Sequence, residues 1–85
     1  MRIQQLMYLD KFLEAPEVIC VFPVNKKITL QDIRKDVIEN IEENFNEEVY
    51  MNAQDAIDDL LSGGDVSLDN DNAFYMWFTI DIDWL

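Results

Sequence analysis

Carboxylates are the side chains with which this sequence could do chemistry. From Asp36 to Leu85 the chain holds 14 acidic side chains and no basic one, whereas all six Lys and Arg residues lie in its first 35 positions. Carboxylates at this density could bind cations, transfer protons in catalysis or face a basic macromolecule. These carboxylates could therefore form a metal site, a catalytic site or an interaction surface.

A calcium loop is suggested by one segment, which carries oxygen-bearing side chains at every second position. These are Asp65, Ser67, Asp69 and Asp71. An EF-hand loop also requires Gly at its sixth position and Glu at its twelfth, where this chain has Asn70 and Met76. We interpret the segment as the turn of a hairpin, with a weak divalent-cation site as the alternative.

Catalytic chemistry is poorly represented. The chain has no His, which excludes an imidazole base and His metal ligands. Gly63-Gly64 ends a predicted helix, so it is not a phosphate-binding loop. The carboxylate pairs Asp58/Asp59 and Asp81/Asp83 have a solvated context. We predict that the protein is not an enzyme and uses no cofactor.

Size and composition predict one acidic domain spanning residues 1–85, since 49% of the residues are hydrophobic. The net charge of −12 opposes direct binding to nucleic acid or to anionic lipid. No signal peptide and no membrane span is apparent. The single Cys20, in an apolar run, is expected to be a core residue in a reducing compartment, and we expect a cytoplasmic protein.

The first two elements are short apolar segments. The spacing of apolar residues over 3–14 predicts a helix, with a strand as the alternative. The β-branched run 18–24 predicts a strand, and Pro23 places that strand at an edge or at its own end.

Two helices are predicted in the middle of the chain. The first begins at an N-cap, Thr29, with Asp32 three positions later, and ends near Asn46. Its apolar stripe is Leu30, Ile33, Val37, Ile41 and Phe45. The second helix runs over 53–62, capped by Asn52 and ended by Gly63-Gly64.

The charges of the first helix oppose its dipole, because bases lie near its start and acids lie at or beyond its end. The bases are Arg34 and Lys35, and the acids are Glu42, Glu43, Glu47 and Glu48. Together with like-charge neighbours such as Asp32 and Asp36, this costs on the order of 1–2 kcal/mol out of a total stability of about 5–8 kcal/mol. Acids that cost stability are easier to explain if they serve binding. The competing explanation is solubility.

A C-terminal hairpin completes the predicted fold. Val66 and Leu68 mark a short strand, 69–72 is a turn, and the following strand alternates strictly. We expect one set of its residues to face the core: Phe74, Met76, Phe78, Ile80, Ile82 and Trp84. The other set, which contains Tyr75 and Trp77, should face outward unless the N-terminal segment covers it.

The predicted fold class is α+β, with a small, mainly antiparallel sheet formed by the hairpin and the strand near 18–24. Two or three helices pack against this sheet.

An interaction surface is the chemistry that fits these residues best. If the 14 acids occupy about half of a surface of roughly 5,200 Å², each has roughly 190 Å². Duplex DNA offers roughly 110 Å² per charge. The partner-binding residues we predict are Asp36, Glu39, Glu42, Glu43, Glu47, Glu48, Asp58, Asp59, Asp69, Asp71, Tyr75, Trp77, Asp81 and Asp83.

The leading hypothesis is an acidic inhibitor that occupies the basic nucleic-acid-binding surface of a target protein, such as a nuclease. Its size and charge are like those of DNA-mimic anti-defence proteins of phages and mobile elements. One alternative is an immunity protein or antitoxin that binds a cognate toxin through Tyr75 and Trp77. Another is a structural module that forms homodimers through an apolar strand edge.

Overall fold

The structure is a computed structural model that describes residues 2–12, 15–69 and 72–82. It contains four strands and two α-helices, with a short 3-10 turn at Leu30–Asp32. The strands are β1 (Arg2–Asp10), β2 (Glu17–Pro23), β3 (Val66–Leu68) and β4 (Ala73–Asp81), and the helices are α1 (Lys35–Asn44) and α2 (Ala53–Leu61). The strands form one antiparallel sheet in the order β2-β1-β4-β3, with α1 and α2 packed on one face. The predicted α+β class is confirmed.

The helix predicted over 3–14 is wrong, because this segment forms the central strand β1. It pairs with β2 on one side and with β4 on the other. A short apolar run is compatible with either a helix or a buried strand. This segment forms a strand because it can pair with another strand on each side. Leu6 is fully buried beneath the helices. Residues 13 and 14 lie outside the described part.

The strand predicted over 18–24 is confirmed as β2, which lies at an edge of the sheet as Pro23 indicated. Its pairing with β1 shifts register between Leu6 and Met7: Leu6 faces Cys20 while Met7 faces Val18. Ile19 is thus an extra residue in a β-bulge. Both Ile19 and Cys20 pack against the core.

The first predicted helix starts too early. The Asp32 carboxylate accepts hydrogen bonds from the Thr29 N–H and hydroxyl (2.8 and 3.0 Å), but these close only a 3-10 turn. Ile33 is extended (φ −96°, ψ 132°), and it is 5% exposed in the core. α1 then begins at Lys35, so Asp36 lies in its first turn, where a carboxylate is favourable. Asp32 and Asp36 therefore do not repel each other within one helix.

The second predicted helix is confirmed. The side chain of Asn52 accepts a hydrogen bond from the Asp55 N–H at 3.0 Å. Gly63 has φ +94°, the left-handed conformation that ends many helices. Three residues of the predicted apolar face, Ala56, Ile57 and Leu60, are buried.

The C-terminal hairpin is confirmed as β3 and β4, but the two faces of β4 are the reverse of those predicted. Tyr75 is buried and Trp77 is half-buried under the helices, whereas Phe78 and Ile80 are each 39% exposed on the opposite face. The described helices all lie on one side of the sheet. That side offers hydrogen-bond partners for the Tyr hydroxyl and the Trp N–H, which Phe and Ile do not need. Trp84 lies outside the described residues.

One core joins the sheet to both helices. It consists of Leu6, Ile33, Val37, Ile41, Ala56, Ile57, Leu60, Val66, Leu68, Ala73 and Tyr75. Among residues 2–12, 15–69 and 72–82, no helix is long and apolar enough to cross a membrane.

Candidate functional site

The helices carry six of the twelve predicted acids and expose five of them on the side away from the sheet. α1 buries Val37 and Ile41 and exposes its predicted acids, which are Asp36, Glu39, Glu42 and Glu43. α2 buries its apolar face and exposes Asp55 and Asp58. Because the apolar residues of each helix share one stripe, the charged residues between them must point to solvent.

The acids of the strands lie on the same side of the sheet as the helices. Asp10 pairs with Ala73, Glu17 with Tyr8, and Asp81 with Arg2. Successive residues of a strand point to opposite faces, and each of these pairs forms a column of side chains on the helix-covered face. Within the described strands, the columns of that opposite face carry no acidic or basic side chain. The charge of the strands therefore lies on the helix-covered side of the sheet, whereas Asp59 and Asp65 line a hollow together with Phe74 and Met76 of the opposite face.

Three acids surround a hollow of about 240 Å³ at the C-terminal end of α1. We call this the acidic hollow; it is lined by Glu43, Asn44, Phe45, Asn46, Glu47 and Asp69. The C-terminal end of a helix carries partial negative charge, which adds to the charge of the three carboxylates. This combination suits an incoming Arg or Lys side chain.

Asn46 fixes the loop that carries Glu47 and Glu48, and we did not predict its role. It is 2% exposed, its side-chain oxygen accepts the Glu48 N–H at 2.9 Å, and its amide donates to the Ser67 hydroxyl at 3.2 Å. Its backbone N–H donates to the Ser67 carbonyl, also at 3.2 Å. The loop is thus tied to β3. A single Asn after a helical stripe gives no signal of this burial.

Three predicted contact residues already have a cationic partner. Arg34 donates hydrogen bonds of 3.0 and 2.6 Å to Asp36, which hold the pKa of that carboxyl below its usual range. Lys35 lies 3.7 Å from Glu39, and Arg2 lies 3.0 Å from Asp81.

In the described part of the chain, nine further acids from α1 to β4 form no ion pair. We call them the unpaired acids: Glu42, Glu43, Glu47, Glu48, Asp55, Asp58, Asp59, Asp65 and Asp69. Asp55 and Asp65 belong to the same acidic part of the sequence, but they were not among the predicted contact residues. Asp71 and Asp83 were predicted but lie outside the described residues.

Asp59 has an evident structural role. It is half-buried and accepts a hydrogen bond of 2.9 Å from the Tyr50 hydroxyl, which also reaches the Asp65 carbonyl at 3.0 Å. Burial, followed by this bond to a carboxylate, raises the pKa of Tyr50 to about 12. The contact holds the loop between the helices against α2.

Tyr75 and Trp77 are not exposed interface anchors, so that prediction is wrong. Tyr75 is 4% exposed, its hydroxyl accepts a hydrogen bond from the Asn40 amide at 2.9 Å, and its ring centroid lies 5.2 Å from that of Tyr8. Burial raises its pKa. The indole N–H of Trp77 donates to the Leu60 carbonyl at 2.9 Å. Both side chains attach the helices to the sheet.

A polar cleft of about 380 Å³ lies between α1 and the β1–β2 edge, lined in part by Tyr8, Glu17, Arg34 and Asp36. Its only guanidinium among the lining residues is already held by Asp36, which leaves little positive charge for an anionic ligand. Among the described residues, no group of three or more His, Cys, Asp or Glu side chains is arranged to hold a metal ion. Burial raises the pKa of the Cys20 thiol, which disfavours the reactive thiolate.

In comparisons with known proteins, no family model, no curated protein and no solved structure matched this chain.

Proposed function

We propose that the protein is an acidic inhibitor that binds the basic nucleic-acid-binding surface of a target protein. The observation that carries this proposal is the placement of the strand acids and the exposed helix acids on the helix-covered side of the sheet, with the acidic hollow at the end of α1. A charged side that opposes a neutral side favours a role in recognition over one in solubility. Solubility alone requires no segregation.

The dimensions of the molecule are compatible with DNA mimicry. Its principal extents are 43 × 29 × 20 Å. The longest corresponds to about 12–13 base pairs at ~3.4 Å each, and the shortest to the ~20 Å width of a duplex. A binding cleft shaped for a short duplex could therefore accommodate this chain.

The placement of the aromatic residues favours the mimic over the toxin-neutraliser alternative. That alternative relied on exposed Tyr75 and Trp77 as hot-spot anchors. Since both contact the helices, substitutions there would test folding more than binding. The unpaired acids other than the half-buried Asp59 are the accessible groups that distinguish this chain.

The test is capture of partners from nuclease-treated lysate by three forms of the protein. The first is the native chain, the second carries E43Q and E47Q at the acidic hollow, and the third carries E17Q and D32N, two acids outside the predicted contact residues. The last two have the same net charge, so they separate the position of charge from its total. Circular dichroism checks that all three are folded.

We expect the native chain to capture basic nucleic-acid-binding proteins that duplex DNA displaces and that high salt releases. The hollow variant should bind the purified target roughly threefold to tenfold more weakly, and the control should bind nearly as the native chain does. Capture that is indifferent to salt and DNA, or equal loss in both variants, would contradict the proposal.

A further inference from the structure

The sheet face opposite the helices is largely apolar, no described helix or loop lies across it, and we call it the open face. Within the described strands it is formed by Ile3, Gln5, Met7 and Leu9 of β1, Val18, Val21 and Pro23 of β2, Ser67 of β3, and Phe74, Met76, Phe78 and Ile80 of β4. Four of these side chains, at positions 18, 21, 78 and 80, are 39–47% exposed. An antiparallel sheet normally presents polar residues on its solvated face, and here ten of these twelve residues are apolar.

We infer that the open face binds a second copy of the same chain, so that two sheets pack face to face in a symmetric dimer. This inference goes beyond the proposed function and does not depend on it. It rests on the area of the face, on its lack of charge and on the state of the sheet edges.

The area is sufficient for a dimer. Twelve side chains with about a third of their surface exposed give roughly 500–700 Å² per copy, or about 1,000–1,400 Å² in all. The total reaches the ~1,000 Å² expected of a specific interface, and the area per copy lies at the upper end of the ~300–600 Å² typical of the largest patch on a monomer. A hollow of about 530 Å³ adjoins the face at the β3 edge, where Phe74, Met76 and Val49 line it together with the acids Asp59 and Asp65.

Charge selects another copy over a basic partner. The described columns of the open face carry no acidic or basic side chain, so a partner recognised by its positive charge would bind the other side. In a face-to-face pair, the acids on the outer faces of the helices are separated by two helix layers and the gap between the sheets, at least about 30 Å. That is about three Debye lengths at 0.1 M salt, so the helix acids of the two copies repel each other only weakly. The strand acids Asp10, Glu17 and Asp81 belong to the columns on the far side of each sheet.

The sheet edges favour association through the face, in contrast to the strand-edge dimer suggested by the sequence. β2 contains a bulge and ends in Pro23, which lacks an N–H, and both features discourage a further strand. β3 is only three residues long. Two aligned sheets that pack about 10 Å apart bury their facing side chains, as in a β-sandwich.

The test measures the molar mass of the native chain by sedimentation equilibrium from about 1 to about 200 µM, a range that reports micromolar association. Phe78→Lys places a charge at the centre of the open face. Phe12→Lys makes the same change at a residue that is 84% exposed in the β1–β2 turn, outside the open face. We expect twice the 10.0 kDa monomer mass for the native chain and for Phe12→Lys. Phe78→Lys should dissociate roughly tenfold to hundredfold more readily.

A cysteine variant gives a second readout in case Phe78→Lys does not fold. Gln5 lies between Val21 and Phe78 in the middle of the face, so Gln5→Cys in a Cys20→Ser background should be joined across the ~10 Å gap between the sheets by a bis-maleimide cross-linker of matching length. A strict monomer at every concentration overturns the inference, as does a dimer equally stable in both lysine variants or one that Gln5→Cys fails to cross-link. A monomer that loses capture of a different protein through Phe78→Lys also overturns it.

Discussion

The two faces of the four-stranded sheet differ in cover and in charge. The face beneath α1 and α2 buries Leu6 and Tyr75, and the acids of the strands share its columns. The open face leaves Phe78 and Ile80 partly exposed, and its described columns carry no charge. Because neighbouring strand residues alternate between faces, one strand supplies both surfaces. The difference teaches that the net charge of −12 is distributed unevenly, because the described strand columns of the open face carry none of it.

The largest difference between the two faces should be in stability. Leu6→Ala leaves a cavity beneath the helices and should lower the free energy of unfolding by about 2–5 kcal/mol. Ile80→Ala, on the open face, should lower it by at most about 1 kcal/mol, because that side chain is partly solvated in the monomer. Urea denaturation at about 0.1 µM, below the concentrations at which association is tested, gives both values. Equal losses would mean that the open face is packed as tightly as the core.

The tyrosines test the electrostatics of the helix-covered side, because Tyr8 and Tyr75 face the helices and Tyr50 lies in the loop between them. Burial, followed by a hydrogen bond to a carboxylate, raises the pKa of Tyr8 and of Tyr50 to about 12. Folding thus favours the neutral phenol. Its contribution to stability is complete below the unfolded value of 10.0 and is lost as pH rises towards 12.

Absorbance of tyrosinate in the native protein should therefore develop near pH 12, while urea-unfolded protein titrates near 10. Stability measured between these pH values should fall, and Tyr50→Phe should reduce the loss. If all the tyrosines of the folded protein titrated near pH 10, burial and the neighbouring carboxylates would not be raising their pKa values.

The smallest effect is expected from a single charge on the outer face of α1. Glu43 lies one turn from Glu39 and at the negative end of the helix dipole, so E43Q should raise the free energy of unfolding by about 0.3–0.5 kcal/mol. The gain should shrink in ~1 M NaCl, which screens exposed charges. E17Q at the β2 edge is the matched control and should show less gain. A loss of stability in E43Q would mean that this acid has a structural partner.

Local signals predicted some elements well. α2 carries its own cap at Asn52 and its own stop at Gly63, so neighbouring residues decide its bounds. The start of α1 was predicted wrongly because that prediction, too, used only neighbouring residues. The contact between Thr29 and Asp32 is real but local, and the core position of Ile33 interrupts the helix after one turn.

The faces of β4 could not be assigned from alternation alone. The two-residue period of a strand places Phe78 and Trp77 on opposite faces of the sheet. The position of the helices then decides which of the two is covered. The sequence also identified most acids of the candidate site, but it could not show which side chains contact them. The neutralisation of Asp36 by Arg34, the structural use of Asp59 and the burial of Asn46 all depend on contacts made only by the folded chain.

The central pairing of β1 with β4 has a consequence for synthesis. β1 leaves the ribosome early, while its partner at 73–81 follows only after the helices have been translated. Until then β1 has only β2, and an isolated hairpin is marginally stable in water. Closing a loop of about 60 residues before the central contacts form also slows folding. We therefore expect the nascent chain to carry unpaired apolar strands through most of its translation and to fold in one late, cooperative step.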